Sequence, residues 1–306
     1  MTNAIELEQV TKKFGRQTAV DQLQLAVPRG AIYGFIGPNG SGKTTTLRMI
    51  LRIFQPDEGR VTVLGKSTGK TADNRLGYLP EERGLYKRMR VKDILTYYAK
   101  LKGIRDCRED LDHWLERLGA SQWANKKIDM LSKGMAQKIQ FIAAVIAKPE
   151  LVILDEPFSG LDPVNLESIR DAVFQLRENG TTIVFSTHDM DMAERMCDTI
   201  FMIFRGKKVL DGTLTSIQSE FPANRLRVQF SDDLSMPDLP GVEAVQSNGR
   251  FHEFTLPAHQ DSQVLLQQLA SQRIVTHFEI LKPSLHDIFV QIASPERNEN
   301  EKQQPV

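Results

Sequence analysis

The spacing of apolar residues changes character along this chain of 306 residues, and each change predicts a different kind of element. Between residues 5 and 27, short apolar pieces (Ile5, Leu7, Val10; Leu23, Leu25, Val27) alternate with polar ones. That is the pattern of an antiparallel sheet with one wet face. Residues 31–36 are instead apolar throughout and predict a buried strand, followed by a helix over 45–51 and a short strand between the glycines at 59 and 65. From 91 to about 130 the pattern turns helical. Leu95, Tyr98, Leu101 and Ile104 share one face, Leu111, Trp114, Leu115 and Leu118 another, and a third helix is expected over 136–147. Residues 151–154 and 181–186 are too apolar for half-wet strands and predict central parallel strands. A helix over 163–177 between them completes a strand–helix–strand unit of the doubly wound α/β type.

Past Gly212 the elements shorten. Strands are expected at 228–230, 242–247, 251–256 and 277–281, with a helix at 263–270, which reads as a small α+β domain. The expected division is thus a domain over 1–212 with a helical subdomain at about 88–147, a small domain over 213–295, and a tail over 296–306. That tail is polar with no apolar anchor, a composition that predicts disorder.

Composition adds mainly exclusions. Lys+Arg and Asp+Glu are both 39, so no net charge points to nucleic acid, and none is expected as a partner. Cys107 and Cys197 lie far apart and suit neither a disulfide framework nor a zinc site. The first residues lack the basic-then-apolar order of a secretory signal, and no window approaches the ~20 apolar residues that span a bilayer. The chain is expected to be cytoplasmic, and to borrow a partner's membrane segment if it acts at one.

The chemistry begins at Gly37, Pro38, Asn39, Gly40, Ser41, Gly42, Lys43, Thr44 and Thr45, which satisfy the phosphate-loop spacing G-x-x-x-x-G-K-[ST] between a strand and a helix. Glycines let successive amides converge on an anion, and the helix N-terminus adds its dipole. Lys43 is placed to reach the β- and γ-phosphates of a nucleotide, and Thr44 to hold Mg²⁺. The strand at 151–154 runs into Asp155 and Glu156. Strand ends in parallel sheets face the ligand crevice, which gives Asp155 to the same Mg²⁺ and Glu156 to the γ-phosphate as general base. The strand at 181–186 leads to His188, an imidazole suited to bond the γ-phosphate or orient Glu156.

Between these lie Leu131, Ser132, Lys133, Gly134 and Met135, just before a helix. With this segment in the order, the chain resembles the ATP-binding cassette (ABC) family of transporter ATPases over about residues 5–212. The resemblance implies a P-loop ATPase core of mixed, mainly parallel sheet, with an antiparallel β subdomain and a helical subdomain. The family pattern is Leu-Ser-Gly-Gly-Gln, which contacts ATP bound to the opposite subunit. Ser132 and Gly134 match it; Lys133 and Met135 do not, and an ammonium at 133 could stand in for a lost backbone contact. A plain helix N-cap at Ser132 is compatible with that role. By the same resemblance Asp162 joins the two subunits and Phe14 stacks on adenine. Glu81 occupies a position where the family places a glutamine that touches Mg²⁺. A carboxylate there can still ligate the metal, and is expected to strengthen Mg²⁺ dependence and slow turnover.

The resemblance further implies ATP and Mg²⁺ as cofactors, a head-to-tail homodimer closing on two nucleotides, and a separately encoded membrane permease docking on the helical region 91–130 and the Glu81 loop. The chain would then be peripheral on the inner face of the membrane. Residues 281–290, with Lys133-Gly134, resemble the exporter branch that serves sodium efflux and drug resistance and carries an appended C-terminal domain. The alternative is a soluble cassette ATPase of DNA repair or ribosomes. Such relatives carry long coiled-coil insertions or two cassettes, and neither is present.

Overall fold

The computed structural model describes residues 3–67, 73–82, 84–221, 225–231, 244–248, 250–256 and 262–301. They fall into two compact units, Met1–Leu214 and Thr215–Val306.

In the first unit β1 (Asn3–Phe14) and β2 (Gln17–Pro28) form the antiparallel pair that the alternation predicts, with Ile5 opposite Val27 and Leu7 opposite Leu25. β3 (Ile32–Ile36) leads to α1 (Lys43–Ile50), and β4 (Glu58–Val63) returns to pair with β1. β5 (Leu76–Leu79) is a short strand that the apolar pattern does not announce. The helical region contains α2 (Val91–Leu101) and α3 (Arg108–Arg117), then two short 3₁₀ turns at Ser121–Trp123 and Ile128–Met130. α4 (Lys133–Val145) starts three residues before the expected 136, because Ser132 caps it by accepting a bond from the Met135 amide at 3.3 Å.

The core of the unit follows: β6 (Leu151–Asp155), α5 (Pro163–Glu178), β7 (Thr182–Thr187), α6 (Met190–Met196), β8 (Thr199–Phe204) and β9 (Lys207–Gly212). The sheet order is β5-β6-β7-β3-β8-β9, parallel except for β9. The three fully buried strands β3, β6 and β7 sit side by side at its centre. Their unbroken apolar runs have a physical cause, since successive residues enter opposite cores. Ile153, Val184 and Phe35 join β1, β2 and α1 in one cluster, while Val152, Leu154, Ile183 and Phe185 join the helices in the other. Their parallel pairing places the carboxyl ends of β3, β6 and β7 together at one edge, where the loops carrying chemistry emerge.

The second unit holds α7 (Leu214–Ser219), most of which lies in it, then β10 (Arg225–Phe230), β11 (Ala244–Asn248), β12 (Phe251–Thr255), α8 (Ser262–Gln272), β13 (Val275–Leu281) and α9 (Leu285–Glu301). Its antiparallel sheet, in the order β11-β12-β10-β13, buries Leu226, Val228, Phe230 and Phe254 against Leu265 and Leu269 of α8. The expected tail is partly helical, since α9 continues to Glu301. Residues 302–306 lie outside the described residues, as do 242–243 of an expected strand.

Candidate active site

The glycine loop takes backbone conformations that side chains resist. Gly40 has φ +76° and Gly42 φ +111°, and a Cβ on Gly42 would lie 2.6 Å from the Ala19 carbonyl of β2. Gly42 precedes α1 without a side-chain cap, so the first amides of that helix stay on the loop side. Lys43 is 6% exposed, and its ammonium donates to the Gly37 carbonyl at 2.7 Å and the Pro38 carbonyl at 3.2 Å. Burial holds its pKa below the usual lysine value, against the opposing pull of Glu156, Asp155 and Glu81. The Ser41 hydroxyl, 3% exposed, has no hydrogen-bond partner among the described residues.

A cleft of about 430 Å³ opens beside this loop. Asn39, Gly40, Gly42, Lys43, Thr44 and Thr45 line it, together with Phe14, Gln17 and Ala19 from the β1–β2 hairpin and the carboxylates Glu81 and Glu156. Phe14 is 46% exposed there and meets Phe54 edge-on at 5.4 Å.

The two acids at the end of β6 are held by β7. Asp155 is opposite Ser186 in the parallel register, and the Ser186 hydroxyl donates to its carboxylate at 2.5 Å. The same serine accepts the Glu156 amide, on Oγ at 3.1 Å and on its carbonyl at 3.2 Å. Glu156 sits at φ +50°, a conformation that a non-glycine residue holds only where the surroundings impose it. Its Oε1 lies 3.1 Å from His188 Nδ1. Burial pushes both carboxyls above their usual pKa; the Ser186 bond opposes this at Asp155, and His188 opposes it at Glu156. Asp189 caps α6 through the Met192 amide, which fixes the turn that carries His188.

The structure thus brings together Lys43, Thr44, Glu81, Glu156 and Phe14 around one cleft, with His188 bonded to Glu156 and Asp155 next to Glu156 at the end of β6, held by Ser186. Ser132, Lys133, Gly134 and Asp162 are not among its lining residues. They form a second cluster. Asp162 caps α5 through the Asn165 amide at 3.1 Å, the Asn165 side chain lies where a Cβ on Gly134 would come within 2.7 Å of it, and the Lys133 ammonium fills the space beside Gly160. Lys133 is therefore turned onto its own chain's loop.

Several members of the site went unread in the sequence. Ser186 carries a usable signal, since aligning parallel β6 with β7 places it opposite Asp155. Gln17 and Ala19 carry none, and neither do two buried glutamines of α4. Gln137 donates to the Pro157 carbonyl at 3.1 Å; Gln140 donates to those of Pro80 at 3.1 Å and Glu82 at 3.3 Å. A Mg²⁺ ion suits the donors present: the Thr44 hydroxyl, the Asp155 carboxylate and the Glu81 carboxylate are hard oxygens. Among the described residues no group of three or more His, Cys, Asp or Glu could hold a metal unaided.

Two family models match the chain: ABC transporter over residues 20–159, and the C-terminal domain of ATP-binding proteins like DrrA1-3 over residues 212–293. The chain is 41% identical over 290 residues to the ABC transporter ATP-binding protein YhaQ of Bacillus subtilis, spanning 94% of this chain and 97% of that one. It is 29% identical to the linearmycin resistance ATP-binding protein LnrL of the same organism, spanning 94% and 97%. Among solved structures, an ATP-binding subunit of an ABC transporter superposes with a TM-score of 0.68 at 28% identity, covering 72% of this chain and 93% of that one.

Proposed function

Because the chain belongs to the ABC transporter family of ATP-binding proteins, we propose that the cleft beside the glycine loop is where it binds ATP with Mg²⁺ and hydrolyses it for a membrane exporter. Members of this family hydrolyse ATP to drive transport, and this chain is such an ATPase subunit. The observation that carries the site assignment is the buried pair Asp155 and Glu156, held by one serine of β7 at the mouth that Lys43 and Thr44 line.

In this reading the loop amides and Lys43 bind the β- and γ-phosphates, and Phe14 stacks on the base. Thr44, Asp155 and Glu81 hold Mg²⁺, which when bound neutralises charge on the phosphate oxygens. Glu156 takes a proton from the attacking water, and its raised pKa brings it nearer to working pH as a general base. His188 fixes the orientation of that carboxylate. The products are ADP and inorganic phosphate.

The export direction is supported by the C-terminal match to DrrA1-3-like proteins and by the full-length likeness to a resistance protein. The same likeness to transporter subunits disfavours the repair and ribosome alternative. Among the described residues no helix is long and apolar enough to cross a membrane. The proposed partner is a separately encoded permease, with the chain peripheral on the inner face of the membrane. Two copies are proposed to close head to tail, each offering Ser132, Lys133 and Gly134 to the other's ATP and joining through Asp162. The test is the oligomeric mass of Glu156→Gln with and without ATP–Mg²⁺. A shift from monomer to dimer only with nucleotide is expected. Absence of that shift would remove the self-contained homodimer while leaving ATP binding in place.

A further inference from the structure

Helix α4 touches the loops of the site along a single stripe. Lys133 rests on Gly160, Gln137 donates to the Pro157 carbonyl, Gln140 donates to the carbonyls of Pro80 and Glu82, and the Ala144 carbonyl closes on Gly77 of β5. The spacing of four, three and four residues puts all of them on one helix face. That face therefore reads the segment leaving β5, which carries Glu81, and the segment leaving β6, which carries Glu156.

Gln140 is the unexpected member. It is 4% exposed, and its side-chain carbonyl has no hydrogen-bond partner among the described residues. A buried amide with an orphaned oxygen is costly where an apolar residue of the same size would fit. What it supplies is geometric, since its NH₂ bonds the carbonyl on each side of Glu81 and so pins that residue's backbone from both directions. Nothing else in the described loop bonds these two carbonyls from across the fold. Glu81 in turn lines the cleft.

We propose that Gln140 is a positioning residue for Glu81, setting where this carboxylate stands in the cleft and tying it to the Ser132 segment at the start of the same helix. The inference rests on the reading that Glu81 meets the metal of Mg²⁺–ATP. A helix that carries the contact for the opposite nucleotide at one end, and holds a metal-facing acid a few turns on, makes the two ends move as one body. Rotation of α4 on closure would then carry Glu81 with it.

The test compares full-length wild type, Gln140→Leu, Glu81→Ala and the double variant, with Gln140→Met replacing Gln140→Leu if the latter does not fold. Two readouts are taken: amide hydrogen exchange of Leu79, Glu81 and Glu82, and Mn²⁺ binding to the ATP complex followed by electron paramagnetic resonance. Gln140→Leu is expected to speed exchange in the loop and weaken Mn²⁺ binding about tenfold, the loss typical when a partner behind a metal ligand is removed. Glu81→Ala should weaken Mn²⁺ as much, and the double variant no further. Unchanged loop exchange in Gln140→Leu overturns the proposal, as does an equal further loss of Mn²⁺ affinity in the Glu81→Ala background. Faster exchange with an unaltered Mn²⁺ curve in Glu81→Ala would instead uphold the positioning of the loop and remove the metal role of Glu81.

Discussion

Carboxylates are treated in opposite ways by the parallel sheet of the first unit and the antiparallel sheet of the second. At the end of β6, Asp155 and Glu156 are buried and meet no Arg or Lys ion pair among the described residues; burial raises the pKa of both. On β12, Glu253 accepts from Arg225 at 2.6 Å and Arg227 at 2.8 Å, and its pKa is lowered. The same side-chain type is thus stressed in one sheet and comforted in the other. Groups held in an unfavourable charge state cluster where chemistry is done, because a reactive acid must gain from meeting its substrate. Charges that only hold strands in place are paired at once.

The sharpest way to test this contrast is to neutralise one acid in each sheet. Glu156→Gln should slow phosphate release from ATP by roughly 10²–10⁴-fold, the usual contribution of a general base, with nucleotide binding retained. Glu253→Gln should leave that rate unchanged; an equal loss would erase the distinction. Strain offers the next largest effect. Gly42→Ala requires a Cβ at φ +111° against the Ala19 carbonyl, and is expected to destabilise the first unit by about 1–3 kcal/mol and weaken ATP binding, read by thermal unfolding and titration. Glu253→Gln should cost the second unit about 1 kcal/mol or less, discounted for solvent screening, and this loss should shrink in high salt.

The smallest effect has the most telling sign. A raised carboxyl pKa adds stability below the unfolded value and loses it as pH climbs through the folded one. Glu156→Gln should therefore melt higher than wild type at neutral pH, by up to about 1 kcal/mol, with the gain vanishing as pH falls toward 4.5. For Glu253 the pKa is lowered, so its stabilising contribution is present above 4.5 and disappears only as pH drops through the lower folded value. Against wild type, Glu156→Gln should gain stability as pH rises above 4.5, whereas Glu253→Gln should stay less stable there and draw level only below 4.5.

What could be read from sequence follows the same division. The phosphate loop, the acids after β6 and His188 were legible because local patterns and strand ends carry them. β8 was not expected from the sequence although its apolar run could have announced it, whereas β5 hides behind Gly77, a residue that weakens a strand but here admits the α4 backbone. Gln137 and Gln140 were invisible for a different reason. Their partners stand 20 and 60 residues away on irregular loops, so a buried amide looks like an ordinary polar helix residue. Lys133 could be named but not aimed, since its resting place on Gly160 depends on tertiary packing.

Ser186 bonds both acids from 30 and 31 residues away, and it does so only because β6 and β7 pair with Asp155 opposite Ser186. Assembly of the acid pair and correct pairing of the two strands are then a single event in folding. A molecule whose ladder closed one residue out of step would have no serine opposite Asp155 to receive the acids. Loss of that register is therefore expected to lower ATP turnover in refolded chains, because Ser186 would no longer hold the two acids.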